Sequence, residues 1–174
     1  EKPISFLSVE GAKEVGVEFN SLSKSFNMAG CRIGYIVGNT EVIAAVNRLK
    51  SNLDYGVFLP IQKAAIAALR DTSSFNEDLR ETYKKRREIL VKGLAEIGWQ
   101  VDSPKASMFI WAKVPAGFTS TDFTYHLIDE AGIVVTPGHA FGQSGEGYVR
   151  IGLVQKEETL EKAIQRLKEV PLLK

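Results

Sequence analysis

Cysteine is almost absent: with Cys31 alone in 174 residues, no intrachain disulfide can form and no thiolate-rich zinc site can be assembled. Histidine is nearly as scarce, since His126 and His139 stand apart without metal-ligand spacing. No apolar run approaches the ~20 residues of a membrane span, and no basic-then-apolar leader opens the chain. An excess of one charge is also missing. Lys+Arg 22 against Asp+Glu 21 leave a net charge of +1, which gives no electrostatic case for nucleic acid or an anionic membrane as partner. Cysteine usage makes a reducing, cytoplasmic setting the expectation. The chain begins at Glu1 and not at Met, which reads as a piece excised from something longer. What is present is typical of a folded protein: 44% hydrophobic residues offer enough apolar surface to offset the entropy of ordering.

Val15, Val17 and Phe19 alternate with Gly16, Glu18 and Asn20, a strand pattern that runs into a polar turn over 20–27. A second strand is expected over 32–37. Thr40 is placed to cap a helix carrying Ile43, Val46 and Leu49 that ends near Ser51, and Pro60 to open another carrying Ile61, Ala65 and Leu69. Ser74-Phe75-Asn76-Glu77 has capping-box spacing, and the helix it starts, with Gly98 as its stop, should run about 35 Å. Beyond it, short strands at 99–101, 108–114, 133–136 and 148–153 alternate with helices at 121–131 and 156–169, the last closed by Pro171. The expected architecture is therefore part of an α/β layer over 1–72, a connecting helix over 73–98 and a compact α+β unit over 99–174.

Two places suggest chemistry. Ser21, Ser23 and Ser25 surround Lys24 directly after a strand, and Arg32 opens the next strand. Hydroxyls beside a fork-shaped cation suit a phosphate monoester, and a primary amine next to such a site is what a Schiff-base cofactor requires. The second place is Tyr148-Val149-Arg150-Ile151-Gly152-Leu153. A period of two puts Val149, Ile151 and Leu153 on a core face and Tyr148, Arg150 and Gly152 on the other. Six of the 15 glycines lie from Gly132 to Gly152, where they let backbone approach a ligand. Lys84-Lys85-Arg86-Arg87 reads instead as a solvated helix face, with Glu81 able to pair with Lys85. Phe109 and Trp111, alternating with Met108 and Ile110, read mostly as core, and Cys31 as a small, semi-buried side chain.

The stretch Ser-Leu-Ser-Lys-Ser-Phe-Asn-Met-Ala-Gly-Cys-Arg-Ile-Gly-Tyr over 21–35 closely resembles the lysine region of class I/II pyridoxal-phosphate aminotransferases of the aspartate aminotransferase fold type. The resemblance continues, in the family's order, through 52–62, 108–111, 137–142 and 145–151. It implies an α/β remnant of the large cofactor domain followed by an α+β small domain, with pyridoxal 5'-phosphate as cofactor and an amino acid and a 2-oxo acid as substrates. Lys24 would join the cofactor aldehyde and later move the proton between substrate carbon and cofactor, while Ser21 and Arg32 would hold the phosphate. Ser23 is a weaker candidate, because adjacent residues of an extended segment point apart and Lys24 must face the cofactor. Arg150 would grip the substrate α-carboxylate, for which a bidentate fork is the right shape.

The resemblance further implies a homodimer, with Tyr55 and Phe58 near its interface and the active site. The stretch 54–58 is similar to the aspartate- and diaminopimelate-type branches. Against the family pattern, no Asp precedes Asp54, so nothing before Lys24 can pair with the cofactor's pyridine nitrogen, and there is no room there for a glycine-rich phosphate loop. The chain thus matches a C-terminal half, expected to have little activity alone. Two other readings stay open: the effector-sensing module of a transcription regulator, and a related carbon-sulfur lyase.

Overall fold

The computed structural model describes residues 4–170. These separate into two compact units, one up to Asn76 and one from Glu77 onward.

In the first unit a helical turn, α1 (Ala12–Val15), precedes strand β1 (Val17–Ser21). β1 pairs antiparallel with β2 (Gly34–Gly38), in a register that opposes Val17 to Gly38 and Ser21 to Gly34. Between them lie a turn of helix, α2 (Leu22–Ser25), and a 3-10 turn (Ala29–Cys31). The strand pair was legible in the alternation, but the segment after Ser21 is helical and not extended. Ser23 and Lys24 are therefore not set apart as alternate residues of an extended strand. Helices α3 (Thr40–Leu53) and α4 (Leu59–Leu69) follow. The cap of α3 is Asn39, whose side chain accepts from the Val42 N–H at 3.0 Å, and not Thr40. Pro60 sits one residue inside α4, where its missing N–H still costs nothing. Ala12, Leu22 and Ala65 are the buried apolar residues of this unit, and α3 buries none of its side chains.

The second unit holds the core. Helix α5 (Phe75–Glu96) leads into a three-stranded antiparallel sheet of order β3-β5-β4, formed by β3 (Phe109–Lys113), β4 (Thr136–Pro137) and β5 (Tyr148–Gly152). Helices α6 (Ser120–Ala131) and α7 (Glu157–Lys168) complete the unit. Leu90 and Leu94 from α5, Ile110 and Ala112 from β3, Phe123 and Leu127 from α6, Val149 from β5 and Ile164 from α7 pack into one cluster. Gly93 leaves room for α7: a Cβ there would run into the Ile164 side chain.

Gly98 ends α5 as expected, at φ 83°, with the Trp99 N–H bonded to the Leu94 carbonyl and the Gly98 N–H to the Ala95 carbonyl. That closure removes the strand expected over 99–101, because the Trp99 N–H is committed to the helix end and its indole Nε1 donates to the Lys113 carbonyl at 2.8 Å. The strand expected over 133–136 is reduced to Thr136–Pro137, and the closure expected at Pro171 lies outside the described residues. In the basic run, Lys84 and not Lys85 approaches Glu81, at 3.5 Å. Arg86 and Arg87 are half-buried ties: Arg86 donates to Glu157 and the Leu153 carbonyl, and Arg87 to the Pro104 carbonyl. Among the described residues no helix is long and apolar enough to cross a membrane.

Candidate active site

The β1–β2 register brings the Lys24 turn against the start of β2. Ser21 ends β1 and caps α2, its Oγ accepting from the Ser23 N–H at 3.2 Å. Because that oxygen accepts inside the protein, its own O–H remains available to donate outward. The Leu22 N–H bonds to the Ile33 carbonyl at 3.2 Å, tying the turn to the residue after Arg32. Arg32 itself takes the left-handed backbone conformation at φ 49°, which costs an L-residue roughly 1–2 kcal/mol and tends to persist at functional sites. One of its guanidinium nitrogens, Nη1, donates to the Ala29 carbonyl at 3.1 Å. Among the described residues neither Lys24 nor Arg32 is paired with a carboxylate. Ser21, Lys24 and Arg32 thus follow one another over consecutive short elements, a hydroxyl, an amine and a guanidinium fork that among the described residues pair with no carboxylate. This donor set fits the aldehyde and phosphate ends of pyridoxal phosphate.

Arg150 lies in the second unit, at the centre of β5, between Trp111 on β3 and Thr136 on β4. The face predicted for it is the face it occupies, since Val149 and Leu153 are fully buried on the opposite side. Its surroundings are not the solvated strand face that alternation alone suggests. The guanidinium carbon lies 4.3 Å from the Phe109 ring centroid and 4.5 Å from that of Phe141. Trp111 stacks on Tyr148 at 5.6 Å and meets Phe141 edge-on at 5.8 Å. Phe109 and Trp111 therefore belong to the Arg150 face and not to the core, which receives Ile110 and Ala112 from the same strand.

The loop carrying Phe141 is pinned from two sides. Gly138 and Gly145 cross so closely that a Cβ on either would strike the carbonyl of the other. Next to them the Glu146 carboxylate accepts from the Ser120 N–H at 2.7 Å, the Ser120 hydroxyl at 2.8 Å and the Gly147 N–H at 2.9 Å. These bonds, the Ser120 backbone N–H foremost, hold the Glu146 carboxyl below the usual glutamate range. Its role was invisible in the sequence, where it is one exposed acid in a glycine-rich loop. Only the fold places it at the start of α6.

The class I and II aminotransferase family model matches residues 3–167. The chain belongs to the class I and II aminotransferases. It is 51% identical to an LL-diaminopimelate aminotransferase of Halothermothrix orenii over 166 residues, which is 95% of this chain and 43% of that protein. Among solved structures it superposes with a TM-score of 0.91 on substrate-bound BacF from Bacillus subtilis, at 41% identity over 97% of this chain and 44% of that one. An aromatic aminotransferase from Pyrococcus horikoshii matches at TM-score 0.88 and 34% identity, over 95% of this chain and 45% of that one. The chain thus spans less than half the length of the family members it matches, and its α/β and α+β units are those of the fold-type I enzymes.

Proposed function

We propose that this chain carries the cofactor lysine and the small domain of a pyridoxal-phosphate-dependent aminotransferase acting on LL-diaminopimelate and a 2-oxo acid. The observation that supports the reading is Lys24 on the short α2, among the described residues without a carboxylate partner, with Ser21 capping that turn and Arg32 following the next 3-10 turn. When bound, the cofactor supplies an aldehyde that captures the amino group and a ring that takes up the electrons released as the α-proton leaves. Lys24 binds at the aldehyde end and then moves the proton at the substrate carbon through its Nζ. Ser21 and Arg32 hold the phosphate, and Ser23, whose backbone N–H bonds to the Ser21 Oγ, is a further candidate beside them. Arg150 binds the substrate α-carboxylate with two parallel N–H bonds.

In this reading residues 1–72 belong to the large domain, 73–98 to the connecting helix and 99–174 to the small domain. The exposed Tyr55 and Phe58 side chains support a homodimer interface there, and the single cysteine suits a cytoplasmic enzyme. The choice of LL-diaminopimelate rests on the curated relative at 51% identity, which also favours an enzyme over an effector-sensing module. Lys24→Ala in the whole enzyme is expected to abolish the visible absorbance band that added pyridoxal phosphate gives the native protein. A band that survives the substitution overturns the assignment. Amino-group exchange with LL-diaminopimelate, against aromatic and acidic amino acids as controls, checks the substrate.

A further inference from the structure

Arg150 is half-buried, yet among the described residues its guanidinium has no hydrogen-bond acceptor and no carboxylate. An arginine carries five N–H donors, and holding them partly out of water without an acceptor is unfavourable unless something else compensates. Two rings do so here. Phe109 comes from β3, where its cross-strand neighbour is Gly152, so no side chain on β5 stands opposite the ring. Phe141 comes from the glycine loop, braced by Trp111, which is itself stacked on Tyr148. The electron-rich faces of Phe109 and Phe141 attract the cation, and their bulk takes up the space in which the guanidinium plane could swing.

We infer that Phe109 and Phe141 form an aromatic clamp that sets the plane of the Arg150 guanidinium, so that its N–H edge is presented to an incoming carboxylate already oriented. The inference rests on the reading of Arg150 as the carboxylate-binding residue and extends it to two positioning residues. The logic is one of preorganisation. A free arginine side chain loses rotamer freedom on forming a bidentate pair, whereas one already held between two rings loses less. Rings are suited to this because they fix the plane without offering an acceptor that would compete with the substrate. A carboxylate in the same place would neutralise the guanidinium.

The test has two arms. In the 174-residue chain, side-chain NMR of Arg150 is expected to show its Hδ and Nε–H protons shifted upfield by the two rings, with Phe141→Leu removing part of that shift and Phe141→Tyr keeping it. In the whole enzyme, Phe109→Leu and Phe141→Leu are each expected to raise KM for the amino acid and the 2-oxo acid about 3- to 30-fold with kcat retained. Phe141→Tyr should restore KM. A rise in KM for Arg150→Gln with none for either Phe→Leu variant overturns the clamp and leaves the carboxylate reading standing. An unchanged KM for Arg150→Gln overturns both. Random-coil Arg150 shifts in the native chain overturn the clamp independently of any activity.

Discussion

Glu146 shows how a single side chain can hold a loop in place. Three donors converge on its carboxylate and keep it ionised below its usual range. A carboxyl whose folded-state pKa is depressed contributes stability above its unfolded pKa and loses that contribution as pH falls through the folded value. The urea midpoint of the second unit is therefore expected to drop between about pH 6 and about pH 3, more steeply in the native chain than in Glu146→Gln. Equal slopes would remove the argument. At this scale residue type and the family resemblance together single out Lys24, Ser21, Arg32 and Arg150 as candidates, because an amine, a hydroxyl and a fork-shaped cation each suit a chemistry. Glu146 and the ring neighbour Phe109 were not legible in the sequence, because their roles arise from contacts 26 and 41 positions apart in the chain, between residues 120 and 146 and between 109 and 150.

Among the elements, α5 and α7 meet where Gly93 faces Ile164. Placing Ala in a helix interior gains about 1 kcal/mol over Gly, but here the added Cβ overlaps a side chain that is itself buried in the core. Overpacking of this kind costs typically 1–3 kcal/mol, so the steric cost should exceed the propensity gain. Gly93→Ala is expected to lower Tm by several degrees in a thermal melt, and a rise would show that Ile164 can move aside. Periodicity located the helices and the strands over 17–21, 109–113 and 148–152 to within a few residues. It failed over 99–101, where apolar alternation coincided with a helix closure whose N–H group was already in use. It also assigned Phe109 and Trp111 to the core, because period two says that a strand has two faces and not which of them is covered. The cross-strand register with Arg150 settles that question.

Over the whole molecule, burial is unevenly shared. The core cluster lies within residues 90–170, while Val15, Phe19, Leu49, Leu53, Phe58 and Leu59 of the first unit are exposed. Backbone hydrogen bonds that lack a packed apolar cover open easily. Native-state hydrogen exchange is therefore expected to leave amides over 109–113 and 148–152 protected for far longer than those over 17–21 and 34–38, and comparable protection would contradict the burial pattern. The 174-residue chain alone is expected to show little or no amino-group exchange, since it has no Asp before Lys24 to keep the cofactor ring protonated. The two tryptophans differ in their surroundings, Trp99 after α5 at 6% exposure in the core and Trp111 on β3 at 40% beside the Arg150 rings. Their fluorescence should therefore divide into two signals. Trp99 emits in the blue, shielded from iodide, and follows unfolding of the core, while the quenchable emission of Trp111 follows what happens at Arg150.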